Sequence, residues 1–320
     1  MKIVFVFPGY GSQFVGMAKE LYDEYRIVQE YFEEAANCLD ENFVKLCFAS
    51  SDAELARMDN AYVSLFLVGV SIAKLLQEQG IQPAAVAGYN QGEYTAFCAG
   101  GGITFPDGLY LLSKYASIYG EALKTMDAQL IRVVGLDSDS VRCICNDLQK
   151  GSNGDGPFVA VYHDARTHIV AGSDEVIARF RAGVESRPDV SLSSVEPEVG
   201  MHSPLMDGVF EIFNPYMEKI DCKDMTIPFT CTPGKLCVIG CDDVKLCISG
   251  HLNSPVYWAQ ARHVLSDYDC IVEIGPGTTL SDSLRRIYSN KAIFSINTKA
   301  DLEALLAHVS SSNCEEKDNG

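Results

Sequence analysis

The sequence predicts an α/β protein: a large subdomain on a parallel sheet, interrupted by a small β-α-β-β-α-β unit. Three observations carry this. Residues 2–7 form an apolar run of the type expected of a strand covered on both faces, and 270–274, ending in Gly275-Pro276-Gly277, and 292–296 read as further strands. Residues 84–87 form another such run, which turns sharply between Gly88 and Gly92 and opens a helix through Glu93, Tyr94, Ala96 and Phe97. Between 127 and 197 the pattern runs strand, helix, strand, strand, helix, strand, which is the ferredoxin-like order.

The elements follow in order. The strand at 2–7 ends in Pro8-Gly9-Tyr10-Gly11-Ser12-Gln13, a glycine-rich turn, and 17–31 reads as a helix. A dinucleotide fingerprint fails here, because Phe14 stands where the third glycine belongs. Residues 52–58 and 61–80 read as helices. The second is apolar on most sides (Val63, Leu65, Phe66, Val70, Ile72) and should be buried. A helix at 105–124 has Pro106 near its start. The small unit comprises strands at 129–134, 158–162, 168–171 and 190–194 and helices at 138–149 and 173–185, with a flexible connector at 150–156. Beyond Met206 a helix runs to 216, and 227–232 reads as a short strand. The expected division is 1–126 with 198–309 as the large subdomain, 127–197 as the small one, and 310–320 as a disordered tail.

Composition excludes several functions. The chain has 320 residues, 47% of them hydrophobic, enough for a substantial core. Its net charge of −18 disfavours nucleic acid and anionic membranes as partners. The apolar run at 3–7 is too short for a signal sequence, and no stretch is expected to span a bilayer, so a cytoplasmic protein is expected. The 12 cysteines do not read as a disulfide framework in so large a chain. Cys231, Cys237, Cys241 and Cys247 lack the paired spacing of zinc sites, and Cys143 and Cys145 face different directions on a helix. Neither a metal nor a permanently bound cofactor is expected.

The stretch from Gly88 to Gly92 has the strand–turn–helix setting of a nucleophile elbow, Gly-x-Ser-x-Gly. Its central residue is Asn90. A carboxamide has no ionisable hydroxyl or thiol, so covalent catalysis at Asn90 is excluded. Cys98 lies eight residues on, two turns or about 12 Å along the helix, and reads as core.

Five fragments together identify a resemblance over almost the whole chain. They are Phe7-Pro8-Gly9-x-Gly11-Ser12-Gln13, Gly88-x-x-x-Gly92-Glu93-Tyr94, His202-Ser203-Pro204-Leu205-Met206, Ser254-Pro255-Val256-x-Trp258 and Glu273-Ile274-Gly275-Pro276-Gly277. The chain resembles the malonyl-CoA:acyl-carrier-protein transacylases and the acyltransferase domains of polyketide synthases. That resemblance implies an α/β-hydrolase-like large subdomain with an inserted ferredoxin-like small one. It implies two-step acyl transfer in fatty-acid or polyketide biosynthesis, through an elbow serine and a histidine base. It puts Asn90 at the nucleophile position and His202 at the base position. The oxyanion backbone falls on Tyr10 and Gln91, and the substrate pocket on Tyr89, Tyr115, Met201 and Ser254. Acyl-CoA is the implied ligand, and an acyl carrier protein or a synthase partner the implied protein. Lys114, Arg285, Arg286 and Lys291 are candidates for a basic patch facing such a partner.

The chain departs from the family pattern at four cleft positions. Asn90 replaces the serine, and Tyr89 the histidine before it. Tyr10 replaces a glutamine. Tyr115 falls where an arginine pairs with the malonyl carboxylate. Leaving a buried charge without its partner costs about 3–5 kcal/mol. Malonyl selectivity is therefore expected to be lost, unless Arg132 or Arg166 supplies another cation. Two main readings follow: a homologue that binds a thioester or partner without transferring the acyl group, or an enzyme of altered chemistry. In the second, His202 would drive acyl transfer or thioester hydrolysis with no covalent serine intermediate. Ordinary malonyl transfer is a third reading, resting only on the overall match.

Overall fold

The computed structural model describes residues 1–150, 156–195, 200–230 and 240–318, the last six by backbone alone. Its named strands are β1 (Ile3–Phe7), β2 (Ala85–Gly88), β3 (Gln129–Val134), β4 (Phe158–Tyr162), β5 (Thr167–Gly172), β6 (Ser191–Val195), β7 (Cys270–Ile274) and β8 (Ala292–Ile296). They form two four-stranded sheets, in the orders β2-β1-β7-β8 and β4-β5-β3-β6.

The first sheet is parallel throughout. β1 lies inside it with all five residues buried, which explains its unbroken apolar run. One face, carrying Ile3, Phe5 and Phe7, belongs to the main core. The other, carrying Val4 and Val6, packs with Trp258, Ala261 and Leu280. Phe7 pairs with Gly88, so the loops after β1 and β2 emerge side by side at the carboxyl edge of the sheet. In an open parallel sheet that edge is where ligands bind.

The second sheet is antiparallel, and its strand order is the ferredoxin-like one. Alternation along β3 sends Ile131 and Val133 into a core of their own, beneath the helices Ser138–Gln149 and Asp174–Val184. A bridge between Val161 and Val256, made by the Tyr162 N–H donating to the Val256 carbonyl (2.8 Å) and the Val256 N–H donating to the Ala160 carbonyl (2.9 Å), ties this sheet to the large subdomain.

Several expectations need correction. The helix expected at 17–31 is two helices, Lys19–Glu24 and Arg26–Leu39, because Tyr25 is extended (φ −120°, ψ 118°). A helix at Phe43–Ala49 was not expected. Asn42 caps it by accepting from the Lys45 N–H, and Phe43, Leu46 and Cys47 are buried. The strand expected at 227–232 reduces to one bridge, Val86 to Phe229, with 231 and 232 outside the described residues. Most of the connector expected at 150–156 is also outside them. The stretch from 310, expected as a disordered tail, continues the helix Lys299–Asp318. Among the described residues one helix, Met58–Glu78, is long and apolar enough to span a bilayer, contrary to expectation. However, 83% of its most apolar window is buried inside the protein, where it packs as a core helix.

Candidate active site

The elbow is built by close backbone contact. A Cβ on Gly92 would stand 2.2 Å from the Phe7 carbonyl oxygen, so only glycine lets the turn lie against β1. A Cβ on Gly9 would stand 2.7 Å from the Tyr89 carbonyl oxygen and 3.2 Å from the Asn90 Cβ. The first loop therefore lies directly on the elbow. Asn90 has φ 53°, the left-handed region, as a sharp strand-to-helix turn requires. The Gln91 side chain anchors the turn from behind, donating to the Tyr62 carbonyl at 2.8 Å.

His202 is also left-handed (φ 59°) and nearly fully buried. Its N–H donates to the Leu252 carbonyl at 2.8 Å. Its ring Nδ1 lies 2.7 Å from the His251 carbonyl oxygen, and Nε2 lies 3.2 Å from the Asn90 side-chain oxygen. A carbonyl can only accept, so the Nδ1 proton is fixed and Nε2 of the neutral ring is an acceptor. Two facing acceptors repel. Turning the Asn90 carboxamide over presents its NH2 to Nε2 and makes a sound hydrogen bond. Burial, aided by the neighbouring His251, pushes the His202 pKa down to about 3 and keeps the ring neutral.

Behind His202 stands a buried pair that the sequence reading missed. His251 Nδ1 lies 3.0 Å from Glu93 Oε2, and the His251 ring packs edge-on against His202 and Tyr94. Desolvation raises the Glu93 pKa to about 8 and lowers that of His251 to about 4, so both groups are held neutral. His251 thus serves twice, orienting His202 with its carbonyl and locking itself to the elbow helix with its ring. Glu93 lies inside the elbow fragment Gly88-x-x-x-Gly92-Glu93-Tyr94, but nothing in the sequence pairs it with a residue 158 positions away.

A cleft of about 330 Å³ opens above these groups, between the two sheets. Tyr10, Tyr89, Asn90, Met201 and His202 line it. Tyr10 is held by its hydroxyl bond to the Ala56 carbonyl (2.7 Å). Tyr89 sits edge-on between Trp258 and His163, with its hydroxyl 3.4 Å from the His163 Nδ1.

Two expected pocket residues do not line the cleft. Tyr115 is fully buried, stacks on Tyr62 and Tyr119, and donates to the Met201 sulfur at 2.7 Å. A large ring gains most when wholly removed from water, so it sits behind Met201. Ser254 closes a turn, its N–H bonding the Gly250 carbonyl at 2.9 Å, and does not reach the cavity. Of the two cations considered, Arg132 lines the cleft, whereas Arg166 is bonded to Gly135 and Asp189 elsewhere. Cys98 is buried, and desolvation pushes its thiol up to about 12, the opposite of nucleophile activation. In the four-cysteine group, Cys231 and Cys237 lie outside the described residues. Among the described residues no cluster could hold a metal ion.

The family model for the acyl transferase domain matches residues 4–300. The malonyl CoA-acyl carrier protein transacylase of Bacillus subtilis strain 168 is 25% identical over 99% of this chain and 99% of its own. That of Escherichia coli K12 is 25% identical over 95% of this chain and 99% of its own. Among solved structures, the Clostridium perfringens transacylase superposes with a TM-score of 0.90 at 20% identity, covering 99% of this chain and 100% of its own. A malonyl-transacylase in complex with a type II polyketide synthase acyl-carrier protein gives 0.88 at 22%, covering 96% and 100%.

Proposed function

Since the chain belongs to the acyl transferase domain family, we propose that its cleft binds an acyl thioester of coenzyme A or of a carrier's phosphopantetheine without forming an acyl-enzyme. One observation carries this reading: Asn90 stands at the tip of the elbow, with its carboxamide in hydrogen-bond reach of His202 Nε2. An acyl-enzyme needs a nucleophile whose proton the histidine can take, and a carboxamide offers none. The rest of the site suits binding. The Tyr10 and Gln91 backbone N–H groups flank the elbow, where they would polarise a thioester carbonyl. An acyl carrier protein is the proposed protein partner, since the relatives' names specify one. Of the basic candidates, Arg285 is engaged by Asp282, Lys291 by backbone carbonyls and Lys114 by the Tyr110 ring, which leaves Arg286 as the cation to test.

The test is intact-protein mass after incubation with malonyl-CoA and with acetyl-CoA, with free coenzyme A followed in parallel. Binding with no mass shift and no coenzyme A release is expected. An added acyl group on the native protein would overturn the reading, and the modified peptide would name the nucleophile.

A second reading rests on His202 itself. Its tautomer is fixed by the His251 carbonyl, so Nε2 retains the geometry of a base that could activate water or an incoming thiol. Steady release of coenzyme A without a mass shift, abolished by His202→Ala, would favour it.

A further inference from the structure

Alternation along β3 turns Leu130 and Arg132 towards the cleft while Ile131 and Val133 face the small core. Val161, Ile169 and Val195 from the neighbouring strands complete this wall, so the small sheet presents one charge in an apolar surround. The chain contains 43 Asp and Glu, yet among the described residues none lines the cleft. Among the described residues Arg132 forms no ion pair. A second guanidinium lies close by. Arg262 follows Trp258 by one helical turn, is nine-tenths buried, and its Nε has no hydrogen-bond partner. Burial pushes the His163 imidazole down to about 4, and the Arg262 and Arg132 charges push the same way. Asp164 is the carboxylate that acts on His163 and Arg262, and it already accepts from the Arg166 N–H at 2.9 Å. Asp164 therefore offsets Arg262, and among the described residues no carboxylate is paired with Arg132.

We propose that this wall of the cleft is an anion subsite in which Arg132 selects ligands bearing a carboxylate or phosphate. The inference rests on the thioester-binding reading and adds its specificity element. Tyr115, where the sequence placed the lost cation, is sealed behind Met201 and cannot meet a ligand. Charge recognition has moved from that helix to the opposite sheet. A guanidinium pairs with a carboxylate or phosphate through two parallel N–H bonds. The anion has two possible sources, a carboxylate on the acyl end or the phosphate of the pantetheine arm.

Calorimetric titration with two matched pairs separates these sources. Malonyl-CoA and acetyl-CoA differ by one carboxylate, and phosphopantetheine and pantetheine by one phosphate. The native protein should bind the anionic member of at least one pair about tenfold tighter. Arg132→Ala should erase that preference and leave the neutral member's affinity within about twofold, while Arg132→Lys keeps part of it. Arg132 is exposed, so the variants should fold, which a thermal melt verifies. The pair that responds identifies the source. Equal affinity within both pairs, or an equal loss for both members in Arg132→Ala, overturns the anion subsite while leaving thioester binding intact. No binding of any probe overturns both.

Discussion

The Tyr115 hydroxyl donates to the Met201 sulfur at 2.7 Å, and Met201, not Tyr115, faces the cleft. The position that the sequence assigns to substrate charge has become core. Tyr115→Phe should leave acyl-CoA affinity unchanged and cost about 1 kcal/mol for the lost hydrogen bond. Tyr115→Arg should not restore carboxylate binding. It buries an unpaired cation and should destabilise by about 3–5 kcal/mol in urea denaturation. A stable Tyr115→Arg variant with gained malonyl selectivity would contradict this burial.

Asn90→Ser tests whether the elbow is one substitution away from acyl transfer. Asparagine tolerates the left-handed backbone at this position better than serine, so the variant should lose about 1 kcal/mol of stability. The new hydroxyl would face His202, but Tyr89 remains wedged between Trp258 and His163, and Tyr10 remains pinned to Ala56. A misplacement of about 1 Å costs about 100-fold in rate. Mass spectrometry should find little or no acyl adduct. Rapid stoichiometric acylation would show that the two tyrosines do not obstruct the acyl position.

The buried Glu93–His251 pair predicts a pH profile of stability. Glu93 is raised from 4.5 to about 8, so the folded state holds a proton that the unfolded state releases. Its contribution is full below about pH 4.5 and is lost as the pH rises towards about 8. His251 and His202 are lowered from 6.5 to about 4 and about 3. Their contribution is full above about pH 6.5 and is lost as the pH falls through those values. Denaturation midpoints from pH 4 to 9 should therefore peak near pH 6.5. Glu93→Gln should flatten the alkaline limb and steepen the acid limb, which the two histidines then set alone. An unchanged alkaline limb would mean that Glu93 is ionised in the folded protein.

Gly92→Ala should damage the fold more than any change to the cleft tyrosines. Its methyl group would enter the Phe7 carbonyl oxygen, and backbone cannot swing aside as a side chain can. A loss of about 3 kcal/mol is expected, with ligand binding weakened because the elbow moves. A normal melting temperature would show that the turn has slack against β1.

The sequence by itself determined the architecture, because strands and helices are written in local periodicity. The run at 3–7 reads as a strand buried on both faces, and 270–274 as a strand that stops at Gly275-Pro276-Gly277. The order of elements from 129 to 195 allowed one small-sheet topology. Gly88, Asn90 and Gly92 declared an elbow with a carboxamide at its centre, since backbone conformation and functional-group chemistry are properties of single residues. Tertiary structure decided which side chains share a space. Tyr115 withdrew behind Met201 because its ring packs better on Tyr62 and Tyr119 than against water. His251 met Glu93, and Arg132 met the cleft, through chain crossings that no local pattern encodes. The elbow was legible because its contacts are short in sequence, whereas the charge balance of the cleft was set by groups that only the packing of the two sheets brought together.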